Sequence, residues 1–360
     1  MSKKKQDNFF TRLGGWLLGQ FARRPKPVWI LVTADVLLIA LSLVVFALFH
    51  HVLPRNEKSV GLVSSRDSVS ATPVPDDDEY IDDDAPDDDA PAAILAGDLF
   101  AGLRTGDFSN KFSGKFTGGD VVRSGADYQS ANINVSISQH EAGEAVYYVA
   151  DIYVRDISYF VTAFANDKFA KGLRERPSDI SARVGGIVAI NGDYYGARSD
   201  GIVIRNGELF RSDPYPTRDV CVLYWDGVMD TYPYGKFDAE AAIDRGAYQA
   251  WNFGPNLLDE NGRAVTKFNS EVFGENPRTA LGYYEPGHYC FVVVDGRQAT
   301  SAGLTLEELS LLMQNLGCAR AYNLDGGNTS VMVDISGETV NNPSHNGRMS
   351  SDIIAIVDSN

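Results

Sequence analysis

Three short polar clusters follow apolar runs that read as strands: Asn191-Gly192-Asp193 after Ile187 to Ile190, Asp295-Gly296-Arg297 after Phe291 to Val294, and Asp325-Gly326-Gly327 after Ala321 to Leu324. Each sets an Asp beside a Gly. A glycine at a strand end lets backbone approach a ligand while neighbouring side chains converge, the usual anatomy of a site in sheets with helical crossovers. A single Asp-Gly pair is more often a plain turn. Three of them, with Asn276-Pro277-Arg278-Thr279 as a fourth polar segment, point to a shared site whose carboxylates and arginines can move protons and hold anions.

Other chemistries lack their residues. There is no G-x-S-x-G elbow, no H-E-x-x-H and no C-x-x-C, and neither Gly-Lys pair closes a Walker A loop. After residue 93 the only histidines are His140, His288 and His345. A His-rich zinc site is therefore not expected, and any metal, calcium or magnesium, would need oxygen ligands. Cys221, Cys290 and Cys318 are widely spaced and lie in apolar surroundings, which reads as buried free thiols.

The elements that must position these clusters are mostly strands. Ala145 to Ile157 is rich in Val, Tyr and Ile, and Gly201 to Phe210 reads as a hairpin whose Asn206-Gly207 turn suits positive φ. One helix is strongly marked: Thr305 and Glu308 form a capping box, Leu306, Leu309, Leu312, Met313 and Leu316 share a face, and Gly317 stops it. It lies between strand candidates Tyr289 to Val294 and Arg320 to Leu324, so a strand, helix, strand unit is expected. The fold class that follows is α+β, strand-rich, with mixed or antiparallel sheets and a few helices.

In this order, Asn191-Gly192-Asp193-Tyr194-Tyr195, Pro277-Arg278-Thr279-Ala280-Leu281-Gly282, Val294-Asp295-Gly296-Arg297-Gln298 and Asn323-Leu324-Asp325-Gly326-Gly327 resemble the motifs of the phosphodiester glycosidase family. Gly303-Leu304-Thr305-Leu306-Glu307-Glu308-Leu309 is similar to that family's helix entry, and the likeness runs from about residue 130 to 358. Two departures stand out. Asp193 occupies a place where many relatives have a second Gly, and Asn328-Thr329-Ser330 follows Gly327 where a third Gly and two Ser are common.

The resemblance implies hydrolysis of a sugar-1-phosphodiester at the anomeric carbon, releasing the sugar and leaving a phosphate monoester on the other partner. Phosphate leaves more readily than a sugar alkoxide, so a cation for its charge matters more than general acid help. Arg278 and Arg297 are the candidates, with Arg278 favoured because a planar fork matches phosphate and Pro277 stiffens its approach. A developing oxocarbenium ion needs a carboxylate, with Asp325 first and Asp193 second. Asp295 can orient Arg297 or close a turn, and Asn191 and Asn323 can bond sugar hydroxyls or an acetamido group. Thr279, Gly326 and Gly327 complete the expected substrate-binding set. Tyr194, Tyr195 and Trp251 are aromatic candidates for stacking on a sugar or for the core, and His345-Asn346-Gly347-Arg348 is either a loop that closes over the site or plain surface.

The remaining sequence speaks to location. Val28 to Phe49 is an apolar run of 22 residues, interrupted by Thr33, Asp35 and Ser42, long enough to cross a hydrocarbon core of about 30 Å. Asp35 reads as tolerated near the interface, or as a contact to a partner helix. Residues 1–27 carry seven Lys and Arg against one Asp, which places them in the cytoplasm and the rest outside, as an uncleaved signal anchor. Residues 50–93 read as a disordered acidic linker: Asp76 to Asp89 holds ten acidic residues of a chain whose net charge is −16. Residues 94–360 are then one extracytoplasmic domain without a basic footprint for nucleic acid. The expected partners are a phosphorylated glycan and, through the span, the lipid bilayer. The expected role is a membrane-tethered glycosidase of envelope or capsular glycopolymers. A non-catalytic phosphoglycan-binding protein in polysaccharide export, or a sugar transferase using the same site, are the alternatives.

Overall fold

Alternation of buried and exposed positions decides most of the architecture. The computed structural model describes residues 106–268 and 273–358. The expected tail, span and linker, together with residues 94–105, lie outside the described residues. Among those described, no helix is long and apolar enough to cross a membrane.

In chain order, the strands before the site are β1 (Val122–Ser124), β2 (Asp127–Gln129), β3 (Ile133–Ala142), β4 (Ala145–Val154), β5 (Phe160–Phe164) and β6 (Gly186–Asn191). A second group is β7 (Gly201–Arg205), β8 (Glu208–Asp213), β9 (Val220–Tyr224), β10 (Met229–Tyr232) and β11 (Ala247–Trp251). The last are β12 (Arg278–Glu285), β13 (His288–Val294), β14 (Arg320–Asn323), β15 (Met332–Asp334) and β16 (Asp352–Val357). Helices α1 (Pro177–Val184), α2 (Ala239–Asp244) and α3 (Leu306–Asn315) join them. Three sheets result, in the orders β1-β2-β3-β4-β13-β12-β14, β10-β9-β11-β7-β8 and β15-β6-β16-β5. All pairings between these strands are antiparallel. The domain is thus α+β and strand-rich as expected, and of the two sheet types anticipated only the antiparallel one occurs among the described residues.

Strand β13 shows how sequence makes layers. Side chains alternate across a strand, so Tyr289, Phe291 and Val293 enter a core shared by all three sheets, with Phe160, Ile190, Leu223, Trp251 and Ile354. Cys290, Val292 and Val294 point to the other face, which α3 covers with Leu306, Leu309 and Met313. Helix α3 begins as its sequence indicates: Glu308 N donates to Thr305 Oγ1 at 3.1 Å and Thr305 N donates to Glu308 Oε2 at 2.9 Å. The expected strand, helix, strand unit is present, but β12 lies between its two strands. Both β13 and β14 pair antiparallel with β12 and so run parallel to each other, one strand apart. The expected hairpin is also present, with Asn206 and Gly207 both at positive φ.

Candidate active site

The polar clusters converge because they occupy neighbouring strand ends. Arg278 pairs with Val294 and Ala280 with Asn323, which brings the start of β12 beside the ends of β13 and β14. Asp325 N then donates to Gly192 O at 3.3 Å, bringing in the end of β6. The approach is close enough to require glycine. A Cβ on Gly296 would sit 2.6 Å from Pro277 N, and one on Gly326 would sit 2.9 Å from Pro277 O.

Asn323, Asp325, Gly326, Gly327, Arg278 and Arg297 line one cleft of about 1200 Å³. Asp325 is 7% exposed. Burial pushes its carboxyl above the usual carboxylate value, and Arg348 is the main opposing influence. Arg348 Nη2 donates to Asp325 Oδ2 at 3.2 Å and to Thr329 Oγ1 at 2.7 Å, while its guanidinium lies 5.1 Å from the centre of the Tyr194 ring. The loop at 345–348 therefore rests on the site: Arg348 N donates to Asn328 O, and His345 Nδ1 is 3.3 Å from Asn328 Oδ1.

Arg297, at φ 57°, donates to Asn276 Oδ1 at 3.0 and 3.2 Å and to Asn328 Oδ1 at 3.2 Å. It is exposed to the cleft, and no carboxylate pairs with it among the described residues. Arg278 is held differently. It is buried, with Nε donating to Leu304 O at 2.9 Å and Nη2 to Gly274 O at 2.5 Å. Burial and then the nearby Arg297 draw its pKa down to about 10. The second departure from the family pattern takes part here, since Asn328 accepts from Arg297 and Thr329 accepts from Arg348.

Several candidates position others rather than face the cleft. Asn191 is fully buried; its Nδ2 donates to Asp325 O at 2.8 Å, and its Oδ1 accepts from Thr279 Oγ1 at 2.8 Å and Val331 N at 3.3 Å. Asp295 does not contact Arg297 through any hydrogen bond. It accepts from Asn341 Nδ2 at 2.9 Å and Asn342 N at 3.1 Å, anchoring the chain that leads into the 345–348 loop. Its carboxyl is raised by burial, against those hydrogen bonds. Asp193 accepts from Arg205 Nη2 at 2.9 Å, Tyr195 N at 3.2 Å and Asn252 N at 3.0 Å. Arg205 also binds Asp352 Oδ2 at 2.9 Å, so two buried carboxylates share one buried guanidinium. Burial pushes Asp352 up to about 7; Arg205 works against that and Asp193 adds to it. Gly192 has to be glycine, because a Cβ there would lie 2.0 Å from Asp352 Oδ1.

Of the aromatic candidates, Trp251 and Tyr195 are buried in the core, while Tyr194 meets Arg348. The cleft's own rings among the described residues are Tyr215, Tyr234, Phe253 and Phe268, which the sequence reading missed because they sit in turn-rich stretches with no periodicity. Asp352 and Arg205 were also missed, while Arg348 was anticipated only as part of a loop that closes over the site or is plain surface. The one available signal was a charged residue at the edge of each apolar strand, in Ile202-Val203-Ile204-Arg205 and Asp352-Ile353-Ile354. Among the described residues, no group of three or more His, Cys, Asp or Glu could hold a metal ion. The three cysteines are free and buried.

Comparison with known proteins follows the same lines. Residues 185–357 match the family model described as phosphodiester glycosidase. The catalytic domain of zebrafish N-acetylglucosamine-1-phosphodiester alpha-N-acetylglucosaminidase, auto-inhibited by its pro-peptide, is similar in fold, with TM-score 0.51 and 19% identity over 63% of this chain and 83% of that one. A hypothetical protein from Synechocystis follows at TM-score 0.48 and 15% identity, covering 63% and 62%. The SPbeta prophage-derived uncharacterized protein YomE of Bacillus subtilis (strain 168) is 29% identical over 176 residues. That match takes in 47% of this chain and only 27% of the curated relative's length. The four ordered motifs all fall inside the family match, and the fold is shared: residues 185–357 are similar to the phosphodiester glycosidase family.

Proposed function

We propose that this chain is a membrane-tethered, extracytoplasmic glycosidase that hydrolyses sugar-1-phosphodiester bonds in envelope or capsular glycopolymers, freeing the sugar end and leaving a phosphate monoester. The observation that carries the chemistry is Asp325: a buried carboxylate, raised by burial, in a cleft that also exposes the guanidinium of Arg297. Asp325 lies beneath the anomeric carbon, where it stabilises the oxocarbenium ion and assists attack. Arg297 neutralises the departing phosphate, because among the described residues its charge meets only amide oxygens. Arg278 adds positive potential from behind, and Asn323 offers its side-chain oxygen to the sugar. Asp193 keeps the Asn191-Gly192 turn in place through Arg205 and takes no part in bond breaking.

The apolar run at 28–49 and its basic flank support the tether and the outward orientation. The full-length protein, purified in detergent, is to be offered a panel of synthetic sugar-1-phosphodiesters, with free sugar and phosphate monoester scored together and Asp325→Asn as control. Release that Asp325→Asn abolishes supports the assignment. Tight binding without release would leave a phosphoglycan-binding protein, and transfer to an added sugar in place of water would make it a transferase. Fractionation with protease accessibility on intact cells tests the topology.

A further inference from the structure

The cleft extends well past Asp325. The segment from Asn323 to Gly327 gives it a direction: Gly327 lies against the Arg297 guanidinium, while Asn323 Nδ2 donates to Gly254 O at 2.8 Å, next to Phe253. Beyond Asn323 the wall includes Tyr215, Arg218, Phe253 and Asn256; Asp219, whose carboxylate accepts from Tyr234 N and Asn256 N, and Asp230, Asp259 and Glu260 line the same cleft. The Arg218 guanidinium lies 5.5 Å from the centre of the Tyr215 ring and 5.3 Å from that of Phe253. Arg198 reaches the same two rings at 4.8 and 5.4 Å. Neither arginine forms an ion pair with a carboxylate among the described residues; Arg218 Nη1 donates to Phe253 O at 3.3 Å. Two like charges are thus held side by side on aromatic faces; the Asp325 carboxylate acts on Arg198 without an ion pair, and a bound anion would relieve the remaining repulsion.

A second observation is independent of the charges. Asn256 Oδ1 and Asn323 Oδ1, both lining the cleft, are buried with no hydrogen-bond partner. Buried acceptors of this kind require donors, which sugar hydroxyls and acetamido N–H groups supply. Aromatic faces suit the C–H face of a sugar ring, and paired arginines suit phosphate. A sugar that carries a second phosphate meets all three demands.

Building on the glycosidase reading above, we propose that Arg198, Arg218, Tyr215 and Phe253 form a second anion subsite on the far side of the sugar from the scissile phosphate. The substrate is then a chain of sugar phosphates cut at internal linkages, with phosphate on both sides of the sugar at Asp325, and an isolated single diester is a poor substitute.

The test uses the full-length protein and two probes: the methyl diester of N-acetylglucosamine 1-phosphate, and the same compound bearing a further methyl phosphodiester at O4 or O6. The expected ratio of kcat/KM, doubly over singly phosphorylated, is about tenfold or more in wild type and shrinks as salt rises from roughly 50 to 500 mM. Arg218→Gln brings the ratio close to one and Arg218→Lys restores part of it. A wild-type ratio near one at both positions, or a ratio that Arg218→Gln leaves intact, overturns the proposal. Should neither probe be cleaved, the glycosidase reading fails and calorimetry decides the subsite separately. Binding of the doubly phosphorylated probe about tenfold weaker in Arg218→Gln than in wild type supports it, and equal binding sinks it.

Discussion

Arg348 reaches Asp325 from a loop far along the chain and donates Nη2 to its Oδ2 at 3.2 Å. The cation that moderates the candidate catalytic carboxylate therefore comes from the C-terminal loop and not from the strand bearing Asp325. That loop is itself held through Asn341 and Asn342 on Asp295. Asp295, an expected site residue, thus acts on Asp325 through three intermediaries.

If Asp325 works in its ionised form, the acid limb of kcat/KM lies above the ordinary carboxylate value of about 3.9, because burial raises the group. Arg348 favours the charged form, so Arg348→Met moves that limb to higher pH and lowers the rate at any fixed acidic pH. Sugar release followed from pH 3 to pH 8 in both proteins checks the sign; a limb that stays put or moves down would contradict it.

The two arginines separate by what they cost. Arg297→Ala is expected to lower kcat/KM by about 100-fold or more, with the melting temperature nearly unchanged since Arg297 is itself exposed and its partners are half-buried amides. Arg278→Ala strips donors from Leu304 O and Gly274 O and is expected to destabilise the domain by about 2 kcal/mol or more. Paired kinetics and thermal melts discriminate them, and the reverse pattern would return the phosphate-binding role to Arg278.

Asn191→Ala removes one donor and one acceptor from a fully buried site and leaves Asp325 O, Thr279 Oγ1 and Val331 N without that partner. The expected loss is about 2 kcal/mol or more in stability, with kcat falling through displacement of Asp325. Activity unchanged at full stability would show that Asn191 does not position the carboxylate.

Asp352 gives a pH signature of its own. With its carboxyl raised to about 7 in the folded protein, the native state keeps a proton that the unfolded chain loses from about pH 4 upward. Its contribution to stability is complete below that pH and is lost as pH rises towards 7. Asp352→Asn removes the dependence, so the difference in melting temperature between variant and wild type moves in the variant's favour between pH 4 and pH 8. A constant difference across that range would count against the assignment.

The strands at 186–191, 288–294 and 320–323 were legible because each is a short apolar run with a polar end, and α3 because its capping box and 3.6-residue period coincide. Which charged residues at those ends face the cleft was not legible. Asp193 has the same local sequence character as Asp325, yet Arg205, twelve residues on, and Asp352, on another strand, take it into the core. Arg278 and Arg297 look alike in one dimension and differ only in which carbonyls fold back over them. Contacts between separate loops leave no periodicity to read, so the partner of Arg348 and the Tyr215–Phe253 wall emerge only in three dimensions.

Strand β13 pairs along its length with β4, from His288 opposite Tyr153 to Val294 opposite Tyr147, and β16 pairs with β5 in the same way. Both outer partners precede residue 185, where the family match begins. A polypeptide trimmed to that match would carry every motif of the cleft but would bare two rows of unpaired amides and carbonyls, a template for edge-to-edge association. The smallest autonomous folding unit is therefore longer than the stretch by which the family is recognised.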